Sequence, residues 1–378
     1  MVNMRILYIA NARIPTEKAH GLQIAKMAEA FTLSGHQIKL LIPNRKNHIK
    51  ENIFDYYNLK TKFKIKYLPN YFSFLENINK KLYFKLQRIL FYKHAFIIGL
   101  FSKEKIIYSR EILICFLLTL FGKISVLEDH EPKKSKKFLY KLFLKTIKKK
   151  IIVPYNLKKL YQEYGINRNS YIVAPNAVDL NEFKKVSIDK NIWQREFNIN
   201  KKVILYVGHF YKWKGVYTLL DASYKIDNPV ILIGGTKEDQ IKIRKYIKNN
   251  KIINVYIRSF IPHSKIIKYI KSADVLVLPN TSKEERSAKY TTPIKLFEYM
   301  ASGVPIVASQ LDSFKYFLKD HLSAILFKPD NINDLADKIK YILNNPKFAR
   351  DISFQAQENV KQYSWAKRAK NIINFIQN

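Results

Sequence analysis

Short runs of aliphatic and β-branched residues alternate with longer stretches whose apolar positions recur every three to four residues. The first kind of run predicts buried strands and the second amphipathic helices, so the pattern reads as parallel α/β architecture. In the first half it predicts strands over residues 6–10, 38–42, 106–108, 124–127, 151–153 and 171–173, with helices over about 21–33 and 112–121. Ser34, Gly35 and His36 close the first helix, with Gly35 placed for a left-handed C-terminal turn. The second half restarts the rhythm. Strands are predicted over 203–207, 230–233, 255–257, 275–278 and 306–308, and helices over 216–224, 240–247, 266–270 and 294–301.

A chain of 378 residues exceeds the usual size of one hydrophobic core. The stretch 181–202 is polar, lacks a long apolar run and reads as the linker. The expected domains are 1–188 and 189–355, with a C-terminal helix over 356–378 packing back on the first domain; helical periodicity runs through 351–377.

Composition adds little until charge is considered. Hydrophobic residues make up 47% and aromatics 14%, which excludes a disordered chain. The single cysteine, Cys115, sits in an apolar run and fits a reducing compartment. The apolar stretch at residues 4–10 is short for a secretory signal, and residues 112–121 fall short of the roughly 20 needed to span a bilayer. A cytoplasmic protein is expected, soluble or peripheral on the inner face of the membrane. The net charge of +37 has three readings. It suits nucleic acid, an anionic membrane at about 1 kcal/mol per basic residue, or a genome rich in Lys, Ile and Asn.

Two segments carry candidate chemistry. Residues 206–216 read Tyr-Val-Gly-His-Phe-Tyr-Lys-Trp-Lys-Gly-Val: a strand ends at Gly208, a basic loop follows, and a helix begins near Gly215. Ligands of open parallel sheets bind outside the carboxyl ends of strands, where His209 and Lys214 can neutralise a diphosphate. A solvated loop is the plain alternative. Residues 291–305 read Thr-Thr-Pro-Ile-Lys-Leu-Phe-Glu-Tyr-Met-Ala-Ser-Gly-Val-Pro. Thr292 suits an N-cap and Pro293 the first helical position, leaving amides to bind an anion. Glu298, one turn in, is placed to accept ribose hydroxyls or to make a helix–helix salt bridge.

Together these segments resemble the family-four branch of GT-B glycosyltransferases, with a Val-Gly-Arg/His-Leu-x-x-x-Lys-Gly loop and a Pro-x-Lys-x-Phe-Glu-Tyr-Met-Ala-x-Gly helix. The likeness extends to Glu17 through Gln23, Pro175 through Asp179, and Ala273 through Pro279. The resemblance implies two Rossmann-like domains with an interdomain cleft. It implies retaining transfer from a nucleotide-diphosphate sugar to a glycan or lipid-linked acceptor, with no metal and no cofactor beyond the sugar nucleotide as substrate. Carried over, Lys214 contacts the diphosphate, with His209 where the family often has arginine. Gly208 and Pro293 flank the phosphate site, the amides of Ile294 and Lys295 cradle its oxygens, Glu298 binds ribose, and Phe260 lies where the base is touched. Gly21 lets backbone approach the donor, and His130, in the run Leu127 to Glu131, bonds the transferred sugar. Read without the family, a histidine beside three carboxylates is an electrostatic surface cluster. One position departs: the family's earlier glutamate, eight residues before Glu298, is Tyr290 here, and Glu284 and Glu285 are out of register. The donor sugar is therefore open.

Residues 133–150 predict a basic amphipathic helix with Leu139, Leu142 and Phe143 on one face and Lys137, Lys141, Lys145 and Lys149 on another. It suits an anionic membrane surface or an ordinary helix packed on the first sheet. A nucleic-acid-binding protein explains the charge but neither motif. A sugar phosphorylase or nucleotide-sugar epimerase is the rival among enzymes.

Overall fold

The computed structural model describes residues 3–71, 75–133 and 137–378. Contacts divide the chain into two compact units, Met1–Pro175 with Trp365–Asn378, and Asn176–Ser364.

The first unit runs β1 (Arg5–Ile9), α1 (Ala19–Leu33), β2 (Gln37–Pro43), β3 (Lys64–Leu68), α2 (Lys80–Leu100), β4 (Ile106–Ser109), α3 (Ile112–Leu120), β5 (Ile124–Asp129), α4 (Lys137–Thr146), β6 (Lys149–Ile152) and β7 (Tyr171–Val173). Its strands pair in parallel in the order β3-β2-β1-β4-β5-β6-β7. Ile6, Leu7, Tyr8 and Ile9 of β1 are fully buried, because a parallel sheet covered on both faces needs apolar residues at successive positions. The basic helix is shorter than its periodicity predicts, and residues 134–136 of the predicted span lie outside the described residues. Lys149 falls in β6 rather than on the helix, its Nζ donating to the Phe375 carbonyl at 3.0 Å. Tyr140 and Leu144 form the buried stripe of α4, which leaves Leu139 and Leu142 exposed.

The second unit runs β8 (Ile204–Val207), α5 (Val216–Ala222), β9 (Val230–Ile233), β10 (Val255–Arg258), α6 (His263–Lys271), β11 (Val275–Leu278), α7 (Ile294–Ser302), β12 (Ile306–Ser309), β13 (Ile325–Phe327) and α8 (Pro346–Val360). Its strands are also parallel, in the order β10-β9-β8-β11-β12-β13. Each sheet thus reverses direction at its first strand, between β1 and β4 and between β8 and β11. Such reversal points open a crevice for ligands at the carboxyl ends of strands.

The periodicity over 351–377 is interrupted. The Val178 amide donates to the Tyr363 carbonyl at 3.0 Å, and Val178 pairs with Ser364, so the chain leaves the helix there and restarts as α9 (Trp365–Gln377). Helix α9 packs on α1 within the first unit. The polar stretch 181–202 is itself folded onto the second unit. Trp193 donates to the Ser272 carbonyl at 2.7 Å, and Lys271 donates to the carbonyls of Phe183 and Val186 at 2.8 and 2.5 Å. The division between units therefore falls at Pro175, ahead of that stretch.

Candidate active site

At the carboxyl end of β8 the chain passes Gly208 and presents His209, Tyr211, Trp213 and Lys214 before α5 begins. Gly215 is confined to glycine twice over. Its φ is +70°, and a Cβ would stand 1.6 Å from the Pro279 carbonyl oxygen at the end of β11. The Trp213 carbonyl accepts from the Thr281 amide at 3.3 Å and the Ser287 hydroxyl at 3.1 Å, which ties the loop to the following segment. His209 stacks on Tyr211 and Tyr211 on Trp213, with centroids 5.0 and 6.2 Å apart. Lys214 Nζ lies 3.9 Å from the Trp213 ring centroid. Burial, helped by the Arg286 charge, pushes its ammonium down to about 7.

Helix α7 starts at Ile294 with Pro293 at the N-cap, where its extended ψ of 143° keeps it outside the helix. Thr292, an N-cap by residue type, lies one position farther out, and its carbonyl accepts from Asn176 at 2.6 Å. The opening amides, those of Ile294 and Lys295 among them, have no intrahelical carbonyl to meet. The motif singles out only the Lys295 backbone, but its side chain is the more telling feature. Nζ is buried with no hydrogen-bond partner among the described residues. It lies 3.8 Å from the Tyr206 ring centroid and 3.6 Å from where a Cβ on Gly208 would stand. Burial and the Lys214 charge hold its ammonium well below the ordinary lysine range, with Glu298 pulling the other way. Gly208, Lys214, Lys295 and Glu298 therefore share one neighbourhood.

Glu298 is buried and engaged: His263 Nε2 lies 2.7 Å from its Oε1. His263 opens α6, and its Nδ1 stands 4.0 Å from Glu182. Phe260 lies in the loop before α6, 41% exposed, and lines a separate cavity of about 800 Å3 with Arg258, Lys265 and Tyr269. Neither Lys214 nor Glu298 lines that cavity.

In the first unit a cavity of about 460 Å3 lies at the carboxyl ends of β1, β4 and β5, lined among others by Asn11, His20, Arg88, Arg110, Glu111 and His130. Beneath it Glu128 is fully buried. It accepts from Gln23 at 2.7 Å, from Tyr108, from His130 at 2.6 Å and from Arg368 of α9 at 3.0 Å. Burial alone would raise the Glu128 carboxyl, but Arg368, His130 and Arg110 together hold it well below the usual range. Burial and Arg110 push His130 down to about 4 against the pull of Glu128, and burial with Arg110 does the same to His20. Asp129 is buried beneath the hydroxyls of Tyr140 and Tyr161, so this is no solvated surface cluster. Gly21 lies within the first turn of α1, buried. A Cβ there would meet the Tyr57 hydroxyl at 2.2 Å and Thr16 at 2.5 Å, so its missing side chain makes room for the chain's own packing. Among the described residues no group of three His, Cys, Asp or Glu side chains is set to hold a metal ion.

Residues 187–359 match the family described as glycosyl transferases group 1. The chain is 24% identical over 201 residues to an uncharacterized glycosyltransferase of Methanocaldococcus jannaschii, a stretch covering 50% of this chain and 55% of the relative. It is 23% identical over 232 residues, 60% of this chain and 59% of the relative, to the N,N'-diacetylbacillosaminyl-diphospho-undecaprenol alpha-1,3-N-acetylgalactosaminyltransferase of Campylobacter jejuni. The chain thus spans little more than half the length of these relatives. In structure it is similar to Anabaena HepE, solved in complex with UDP and glucose, with a TM-score of 0.75 over 100% of both chains at 15% identity. The fold is GT-B, and at residues 187–359 the chain is similar to the glycosyl transferases group 1 family.

Proposed function

We propose that the chain moves a sugar from a nucleotide-diphosphate donor to a glycan or lipid-linked acceptor with retention of configuration, in the assembly of a cell-surface polysaccharide. The observation that carries this reading is the buried Lys295 ammonium, without a hydrogen-bond partner among the described residues, beside Lys214 at the end of β8. Two desolvated ammonium groups repel each other, and Glu298 is already engaged by His263. A diphosphate relieves that repulsion, and the free amides at the start of α7 add to its binding.

In the reaction, the bond from the anomeric carbon to the distal phosphate oxygen breaks and its electron pair stays on that oxygen. The acceptor oxygen bonds the carbon on the same face, and the acceptor proton passes to the departing phosphate. Lys214, Lys295, His209 and the α7 amides stabilise the charge as it develops, with about 2.7–4 kcal/mol from one well-placed group. These cations fill the part a metal ion would otherwise take, and no cofactor is needed. Glu298 has a second oxygen for the ribose, Gly208 leaves the phosphate path open, and Phe260 stands by the base. His130, neutral and donating from Nε2 to Glu128, offers Nδ1 to a sugar hydroxyl.

HepE was solved with UDP, which supports a nucleotide donor, and the Campylobacter relative is named for a diphospho-undecaprenol acceptor, which supports a lipid-linked one. Such an acceptor implies a seat on the cytoplasmic side of the membrane. The test is a thermal-shift screen of UDP-, GDP- and ADP-sugars on the wild type and Lys295→Met. One donor should raise the wild-type midpoint, and the variant should lose that gain. A wild type that responds to none of them ends the proposal.

A further inference from the structure

The outer side of one helix layer in the first unit is unusual in its surface. Helix α2 packs on α3 and α3 on α4. Phe96 of α2 meets Phe121, just past α3, at 5.4 Å, and Phe116 of α3 meets Phe143 of α4 at 4.3 Å, so the layer is continuous. Tyr83, Phe91, Ala95, Ile114, Leu118, Tyr140 and Leu144 are its buried side. Large apolar residues nevertheless remain exposed: Phe101 is 80% exposed, Phe121 59% and Phe138 79%, joined by Leu82, Ile89, Ile97, Leu139 and Leu142. Apolar surface on this scale marks an interaction face.

Its charge says what the face meets. Helix α2 carries Lys80, Lys81, Lys85 and Lys93 besides Arg88, which lines the first-unit cavity; α4 carries Lys137, Lys141 and Lys145, and none of the three helices has an Asp or Glu. The neighbouring acids are occupied: Glu104 pairs with Lys39 at 3.8 Å, and Glu111 accepts from Tyr92 at 2.7 Å. Lysine is depleted at protein–protein interfaces, so a protein partner fits poorly. A bilayer with anionic headgroups takes both features at once, lysines at the phosphates and aromatic rings at the acyl boundary. Among the described residues no helix is long and apolar enough to cross a membrane, so contact would be through a face.

We propose that the α2–α3–α4 face docks on an anionic lipid bilayer, its basic side chains on the headgroups and Phe101, Phe121 and Phe138 seated below them. This deepens the lipid-linked reading above by naming the surface that meets the membrane, and its test does not depend on transfer. The wild type should co-sediment with phosphatidylglycerol–phosphatidylcholine vesicles at least about tenfold better than with pure phosphatidylcholine at low salt. The K137E/K141E/K145E variant should lose about 100-fold in partition, and F101S/F121S/F138S about tenfold or more. Both variants should lose little in melting midpoint: the three rings are mostly exposed, with Phe121 giving up only its contact with Phe96, and the lysines lie at the surface. Equal partition onto neutral and anionic vesicles overturns the proposal, as does full binding by the phenylalanine variant. Displacement of the vesicles by single-stranded RNA at matched charge would make nucleic acid the partner instead. A chain that binds vesicles but responds to no nucleotide sugar would sink the transferase reading and leave this one standing.

Discussion

The two sheets reverse at equivalent strands, yet their reversal points carry opposite electrostatics. In the first unit Glu128 is saturated by Gln23, Tyr108, His130 and Arg368, and His20 and His130 are neutral near pH 7. In the second unit Lys214 and Lys295 are desolvated together, and the Lys295 ammonium has no hydrogen-bond partner among the described residues. Topology delivers strand ends to both places; the residues delivered decide what each can hold. Fixed dipoles around a satisfied carboxylate suit neutral hydroxyls. Unsatisfied cations suit phosphates.

The contrast is broken most sharply by removing a charge from each site. Arg368→Met strips the buried Glu128 of its cation, and losing one partner of a buried pair costs about 3–5 kcal/mol. Denaturant unfolding should show that loss, with part of it recovered in Arg368→Met/Glu128→Gln. Lys295→Met should do the reverse and raise the ligand-free midpoint, because it removes a buried ammonium that has no hydrogen-bond partner among the described residues. If both substitutions destabilise alike, the difference between the sites is not electrostatic.

Next in size is catalysis. Lys214→Ala should lower turnover about a hundredfold or more with the fold intact. Its loss should persist at saturating donor, since the proposed role grows in the transition state; near-normal turnover there would remove Lys214 from the chemistry.

How much of this the sequence discloses follows from how local each signal is. Strands β9 and β11 match their predicted spans because both faces of the second sheet are buried, and apolar runs then have crisp ends. Strand β3 alternates lysine with apolar residues at the sheet edge and has no such run. Gly215 is legible because a strand–loop–helix turn demands it. Gly21 is legible as a glycine but not as to what fills the space, which is a tyrosine 36 residues on. His263 meets Glu298 across 35 residues and Arg368 meets Glu128 across 240, separations that no motif spans. Arg110, central to the charge balance of the first cavity, belongs to no motif at all. One local sign of the Lys295 side chain does exist: a lysine in the first turn of a helix opposes the dipole, and a broken local rule often marks a site.

A smaller effect is expected at the His263–Glu298 pair. Glu298→Ala should weaken nucleotide affinity by about tenfold or more, the size of a hydrogen bond to a charged group, and leave first-unit stability untouched. His263→Asn should weaken it less, because the carboxylate survives without its orienting partner. Calorimetric titration separates the two, and unchanged affinity in Glu298→Ala would free the carboxylate from any part in binding.

The finest test is pH. Lys214, pushed down to about 7 in the free protein, should regain its proton when a diphosphate binds, so binding takes up a proton. The sign follows: donor affinity is flat below about pH 7 and falls by up to about tenfold per pH unit above it. A sugar nucleotide is the right probe, since its diphosphate diester does not itself titrate there. The groups acting on Lys214 are Arg286, Trp213 and Lys295, with Glu298 reached through Lys295. Arg286→Gln should therefore move the midpoint upward. His20 and His130 at the first-unit cavity, pushed down to about 4, add no step to this range. Titrations in buffers of different ionisation enthalpy should register the proton uptake near pH 8. Affinity that holds level to pH 9 would mean Lys214 is charged before the donor arrives, and the contrast between the two sites would then rest on Lys295.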